Sequence, residues 1–134
     1  PESSGKTTLA LHCIAEALGG RYDTPHGIAN STFLPWIFAF DAPADPKRHA
    51  DVAVAVGIAT EDDEPSYAAE QASRYLVDLA RTISIPRFRE LPGIEEDDFP
   101  WIASASVANL SNASNARVMD EADYLGILES AWNA

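Results

Sequence analysis

Apolar residues recur at three- and four-residue spacing along most of the chain, the period of a helix with one buried face. Leu11, Ile14, Ala15 and Leu18 make the first such face and predict a helix over 7–18. His12 and Glu16, four residues apart, share another side of it. Gly19-Gly20 is expected to end this helix, because glycine takes the left-handed cap position without steric cost. Arg21 to Thr24 crosses a gap, Thr24 caps, and Pro25 opens a second helix with His26 in its first turn. Ile28, Phe33, Leu34, Trp36, Ile37, Phe38 and Phe40 leave that second helix apolar almost all round, as a buried central helix is. Pro35 should kink it, and the aromatic content of 33–40 keeps a strand as the competing prediction.

The pattern continues helical to the end. A turn over 41–46 leads to a short helix over 47–56, with Ala50, Val52, Ala53 and Val56 apolar and His49 on its solvated side. The acidic run from Thr60 to Ser66 reads as a solvated connection, since it lacks the glycine and spacing of a calcium loop. Pro65 opens a long helix to about Ser84, its predicted buried stripe being Ala68, Ala72, Tyr75, Leu76, Leu79 and Ile83. Pro86 stops it, and Phe88, Leu91 and Ile94 are expected to anchor an irregular connection. Glu95 to Asp98 puts negative charge at the next helix start, where the helix dipole favours it. An Asn/Ser loop over 110–118 precedes a last amphipathic helix over 120–132, with Tyr124, Leu125, Leu128 and Trp132 inward. The fold class expected is all-α, a multi-helix bundle.

Composition narrows the function. A length of 134 residues with 46% hydrophobic residues suits a globular chain with a real core. A formal net charge of -12 repels phosphate backbones and argues against a nucleic-acid surface. The single Cys13 excludes an intrachain disulfide and fits a reducing, cytoplasmic setting. No apolar run approaches the ~20 residues of a membrane helix. The chain opens at Pro1 rather than Met, as expected of a piece of a longer or a joined sequence.

Two stretches carry candidate chemistry. A bend between the first two helices can bring His12 and His26 together, and imidazole is a common ligand of divalent transition metals. At the start, P-E-S-S-G-K-T-T resembles most of the Walker A segment of RecA-type recombinases, lacking only the leading glycine. That resemblance implies a phosphate site at Gly5, Lys6 and Thr7, hence ATP binding as an alternative function. The plainer alternative is a non-catalytic helical interaction module, with both histidines structural.

A second resemblance is much longer. L-H-C-I-A-E-A-L-G-G-R-Y-D-T-P-H-G-I-A-N is similar to the signature of the iron-containing (group III) alcohol dehydrogenases. The likeness continues through F-D-A-P-A-D-P-K-R-H-A-D-V-A-V-A-V-G, through I-P-R-F-R-E-L-P-G-I, and through Asn115-Ala116-Arg117. It implies that residues 11–134 are the helical C-terminal domain of such an enzyme, with 1–10 a RecA-like leader. It also implies a divalent metal, iron or zinc, beneath the nicotinamide of NAD(P), and a small alcohol or aldehyde as substrate. The family's ligands are an Asp, a His four residues later, and two further histidines; the last two fall on His12 and His26. The family's intervening His, near the nicotinamide, falls on Glu16, and its L-P-H on Leu34-Pro35-Trp36. The Asp–His pair and the nucleotide-binding domain have no counterpart here. The expectation is therefore a half-site, inactive alone, with no catalytic residue assigned.

Overall fold

In a computed structural model, residues 2–114 and 119–134 are described, the side chains of 2–8 and 114 excepted. Every regular element among them is helical, and no strand occurs. The α-helices are α1 Glu2–Tyr22, α2 His26–Asp41, α3 Pro46–Ala55, α4 Pro65–Thr82, α5 Phe99–Ala108 and α6 Glu121–Asn133. Short 3-10 turns at Ala42–Ala44, Phe88–Glu90, Glu96–Asp98 and Leu110–Ser114 join them.

Local chemistry starts the helices where it can satisfy their first free N–H groups. The Glu64 carboxylate accepts from Tyr67 N–H at 2.9 Å ahead of α4, with Pro65 in the first position. Asp120 accepts from Asp123 N–H at 2.8 Å, and the Asp123 carboxylate accepts from Asp120 N–H at 3.1 Å, a reciprocal cap on α6. Asp45 caps α3 ahead of Pro46.

Two buried clusters hold the helices together. The larger takes Ile14 and Leu18 from α1, Phe33 and Ile37 from α2, Ile102 from α5, Tyr124 and Leu128 from α6, and Phe88, Leu91 and Ile94 from the connection. The connection thus packs as the sequence predicts, and no Phe33–Phe40 strand forms. The smaller cluster lies between α3 and α4, where Ala50, Ala53, Ala68 and Ala72 let the two backbones approach under Phe38. Helix α2 touches both.

Four expectations fail locally. Helix α1 does not stop at Gly19-Gly20 but runs on to Tyr22, and the left-handed residue is Asp23, at φ 56°. Burial of Ala17 and Leu18 offsets the roughly 1 kcal/mol that a helical glycine costs, and aspartate tolerates the left-handed region. Thr24 is no cap: its hydroxyl is buried without a partner, and Pro25 holds the capping position, which still leaves His26 in the first turn. His49 is buried rather than solvated. Its Nδ1 lies 2.7 Å from the Asp45 carbonyl oxygen, and its ring meets Phe38 edge-on at 4.5 Å, a neighbour that α3 periodicity alone does not reveal. On α4 the stripe is buried only at Ala68 and Ala72; Leu79 and Ile83 are exposed, on the rim of a groove that Leu34 and Pro35 of α2 share.

Candidate metal centre

The site is a corner. Three residues, 23–25, separate α1 from α2, so the middle of α1 and the first turn of α2 lie side by side. The corner is pinned from outside by Arg21, whose guanidinium lies 3.6 Å from the Asp98 carboxylate and 4.5 Å from the centre of the Trp101 ring. Held in this way, the His12 and His26 rings stand with centroids 5.9 Å apart, at 68° to one another. Both are open to solvent, His12 half-buried and His26 exposed. The bend expected from the sequence does bring the two imidazoles together.

Glu16, one turn along α1, points its Oε2 at His12 Nε2 across 3.4 Å, longer than an ordinary hydrogen bond. The same oxygen accepts from the side-chain amide of Asn109, at the C-terminal end of α5. Asn109 is itself fixed, since its Oδ1 accepts from Ser111 N–H at 2.9 Å. Sequence reasoning missed Asn109. It lies 93 positions from Glu16, next to a stretch that reads only as an Asn/Ser loop.

Beneath the corner, buried apolar and hydrogen-bonded polar side chains alternate. Cys13 is fully buried, and burial pushes its thiol upward in pKa; a hydrogen bond with Tyr124 pulls it back and the Glu16 charge adds to the rise. Tyr124 donates to Asn112 Oδ1 at 2.9 Å, and Asn112 Nδ2 donates to the Met119 carbonyl at 2.9 Å. The thiol therefore packs as part of the core and is not a free ligand for the corner.

Two neutral imidazoles are the donor chemistry that iron and zinc accept, so His12 and His26 fit part of a metal shell. They do not make a whole one. Among the described residues, no group of three or more His, Cys, Asp or Glu side chains is arranged to hold an ion. Asn115-Ala116-Arg117 lies outside the described residues.

An all-helical domain presenting a paired-imidazole corner describes the class to which the geometry belongs. The chain is a member of the Fe-containing alcohol dehydrogenase family, whose C-terminal model matches residues 4–132. It is 34% identical over 122 residues to the 1,3-propanediol dehydrogenase of Citrobacter freundii, covering 91% of this chain and 32% of that protein. It is 28% identical over 122 residues to the lactaldehyde reductase of Escherichia coli (strain K12), again with 91% and 32% covered. A crystal structure of 1,3-propanediol oxidoreductase superposes with a TM-score of 0.84 at 34% identity, covering 91% of this chain and 32% of that one. The chain thus spans about a third of the length of the curated relatives it matches.

The Walker A reading is not supported. The family match takes in Gly5, Lys6 and Thr7, and the backbone there is already helical within α1. A phosphate cradle needs a loop whose N–H groups converge on the ligand, and in a helix all but the first few are spent within it. Among the described residues, no helix is long and apolar enough to cross a membrane.

Proposed function

We infer that this chain is the metal-binding helical portion of an NAD(P)-dependent alcohol dehydrogenase of the iron type. The observation that carries this reading is the pair of imidazoles 5.9 Å apart at the α1–α2 corner, in a chain that matches the family over 4–132. His12 and His26 would each donate a ring nitrogen to a divalent ion, iron or zinc, and further donors would come from outside the described residues. When bound, such an ion supplies Lewis acidity to an alcohol or carbonyl oxygen. The residues of this chain position and expose two donors; α2 and α1 fix the spacing, and the buried Cys13 side of α1 keeps water from the rear of the corner. Glu16 stands where the nicotinamide-proximal position falls. Small diols and hydroxyaldehydes are the substrate class, by the names of the two relatives. Cys13, unpaired and buried, is consistent with a cytoplasmic setting. With a partial ligand set, the chain alone should bind metal weakly and not turn over.

Isothermal titration of Zn²⁺ into the chain tests this. Weak binding of one ion is expected, lost to below detection in His12→Ala and in His26→Ala. Equal binding by wild type and the double variant would reject the reading and leave both histidines structural.

A further inference from the structure

The C-terminal end of α4 carries a pocket whose walls include neither imidazole. The helix closes there on Ser84, left-handed at φ 61°. Ile85 N–H donates to the Ala80 carbonyl at 2.8 Å, and Ser84 N–H to the Arg81 carbonyl at 3.1 Å. This pair of bonds turns the chain back and sets Ile85 beside Ala80. The Thr32 hydroxyl donates to the Pro86 carbonyl at 2.9 Å, which ties the returning chain to α2. The result is a cavity of about 40 Å³, walled in part by Trp36, Val77, Ala80, Ile85 and Arg81. A groove of about 110 Å³ adjoins it, sharing Pro35, Ala80 and Ile85, with the exposed Leu34, Leu79 and Ile83 on its rim. One water needs about 10–15 Å³ of such space, so the two together suit a short organic chain and are too small for a protein segment.

The charge at this end is unlike that of the rest of the chain. Against a formal net charge of -12, residues 79–89 hold three arginines and no acidic residue. Two of the three are engaged. Arg87 Nε pairs with the Glu90 carboxylate at 2.8 Å, and Arg89 Nε donates to the Trp132 carbonyl at 2.7 Å. Arg81 has no ion pair or side-chain hydrogen bond among the described residues. Its own carbonyl and that of Ala80 are taken by the turn, so the guanidinium is not spent on capping them. We propose that this pocket binds a small apolar carboxylate, with its charged head on the Arg81 guanidinium and its alkyl or aryl body along Pro35, Ala80 and Ile85 toward the groove. Arginine presents two parallel N–H donors to a carboxylate, and apolar walls with a few polar groups that set orientation are the usual make-up of a ligand pocket. The net charge of the whole chain opposes both an anionic membrane and a second copy as the occupant. The site shares no residue with the His12–His26 corner and stands or falls apart from it.

The test is isothermal titration of sodium octanoate into the metal-free chain, with ¹H–¹⁵N NMR to locate the ligand. One octanoate should bind and shift the amides of Ala80, Arg81 and Ile85, while those of His12 and His26 stay in place. Arg81→Gln should weaken binding about tenfold or more, through loss of a charged hydrogen-bonded contact. Ala80→Leu, which fills the wall shared by cavity and groove, should weaken it with Arg81 intact. Arg74→Gln removes the same charge from the same helix at a residue paired with Glu70, and should bind as wild type does. Acetate, which has no tail, and octanol, which has no charge, should each bind about tenfold or more weakly than octanoate. Far-UV circular dichroism checks that each variant is folded. No binding of octanoate, equal binding by Arg81→Gln, or equal binding of octanol overturns the proposal. So do shifts centred on His12 and His26, or sedimentation showing a dimer that Ile83→Asp separates, since the groove would then belong to a second copy.

Discussion

Phe88 is the side chain whose truncation the fold should feel most. It sits on a 3-10 turn outside the six helices, is 1% exposed, and is met by three other rings. Phe33 from α2 lies edge-on at 4.7 Å, Phe99 from α5 stacks at 5.4 Å, and Trp132 from α6 lies edge-on at 5.2 Å. Phe88→Ala removes the ring's transfer free energy and opens a cavity, together costing about 3–5 kcal/mol. Aromatic pairs carry about 0.5–1.5 kcal/mol beyond their buried area, so the upper half of that range is expected. Domains of this kind are stable by about 5–15 kcal/mol, so the variant should keep little of its margin. With an unfolding entropy of about 2 cal/mol/K per residue, the melting temperature should fall by roughly 15 °C. Phe88→Leu, which keeps most of the apolar volume, should lose clearly less. Urea unfolding followed by far-UV circular dichroism is the right assay, because Trp132 fluorescence would report the local change as well as the global one. A loss under about 1 kcal/mol for alanine, with an unchanged denaturant slope, would show that the ring does not join these helices.

Two further outcomes follow from polar contacts. Tyr124→Phe leaves Asn112 Oδ1 without the buried hydroxyl that donates to it and should cost about 1–3 kcal/mol in the same urea assay; a loss below about 0.5 kcal/mol would mean that the bond contributes nothing. Asp98 accepts from Glu95 N–H at 2.9 Å and faces Arg21, and these hold its carboxyl below the usual carboxylate range. Its folded pKa is the lower one, so the unfolded chain takes up the proton first as pH falls. The stability it contributes is present above the unfolded pKa and lost as pH drops through the folded one. Melting curves from neutral to acid should show this loss, and Asp98→Asn should flatten it; an identical acid profile in the variant would contradict the assignment.

Much of the fold was legible because it is written in local chemistry. Pro46, Pro65 and Asp120 mark helix starts through groups a few residues away, and Phe88, Leu91 and Ile94 recur at helical spacing in a stretch too polar elsewhere to bury anything else. The His12–His26 juxtaposition was legible for the same reason, since both residues flank one short bend. What was missed is set by distant packing. Gly19-Gly20 stays helical because α1 is held along its length by other elements, and His49 is buried because Phe38 reaches it from α2. Leu79 and Ile83 have the right period but line an open groove beside Leu34 and Pro35 instead of a closed core. Asn109 finds Glu16 only once α5 has folded beside α1.

The three-residue corner between α1 and α2 has a consequence for how such a site can change. The ring-to-ring separation is set by two rods and a hinge of three residues, which is too short to bend much. A change of side chain at position 16 should therefore leave the distance between the two rings as it is, because the frame that spaces them does not pass through that side chain.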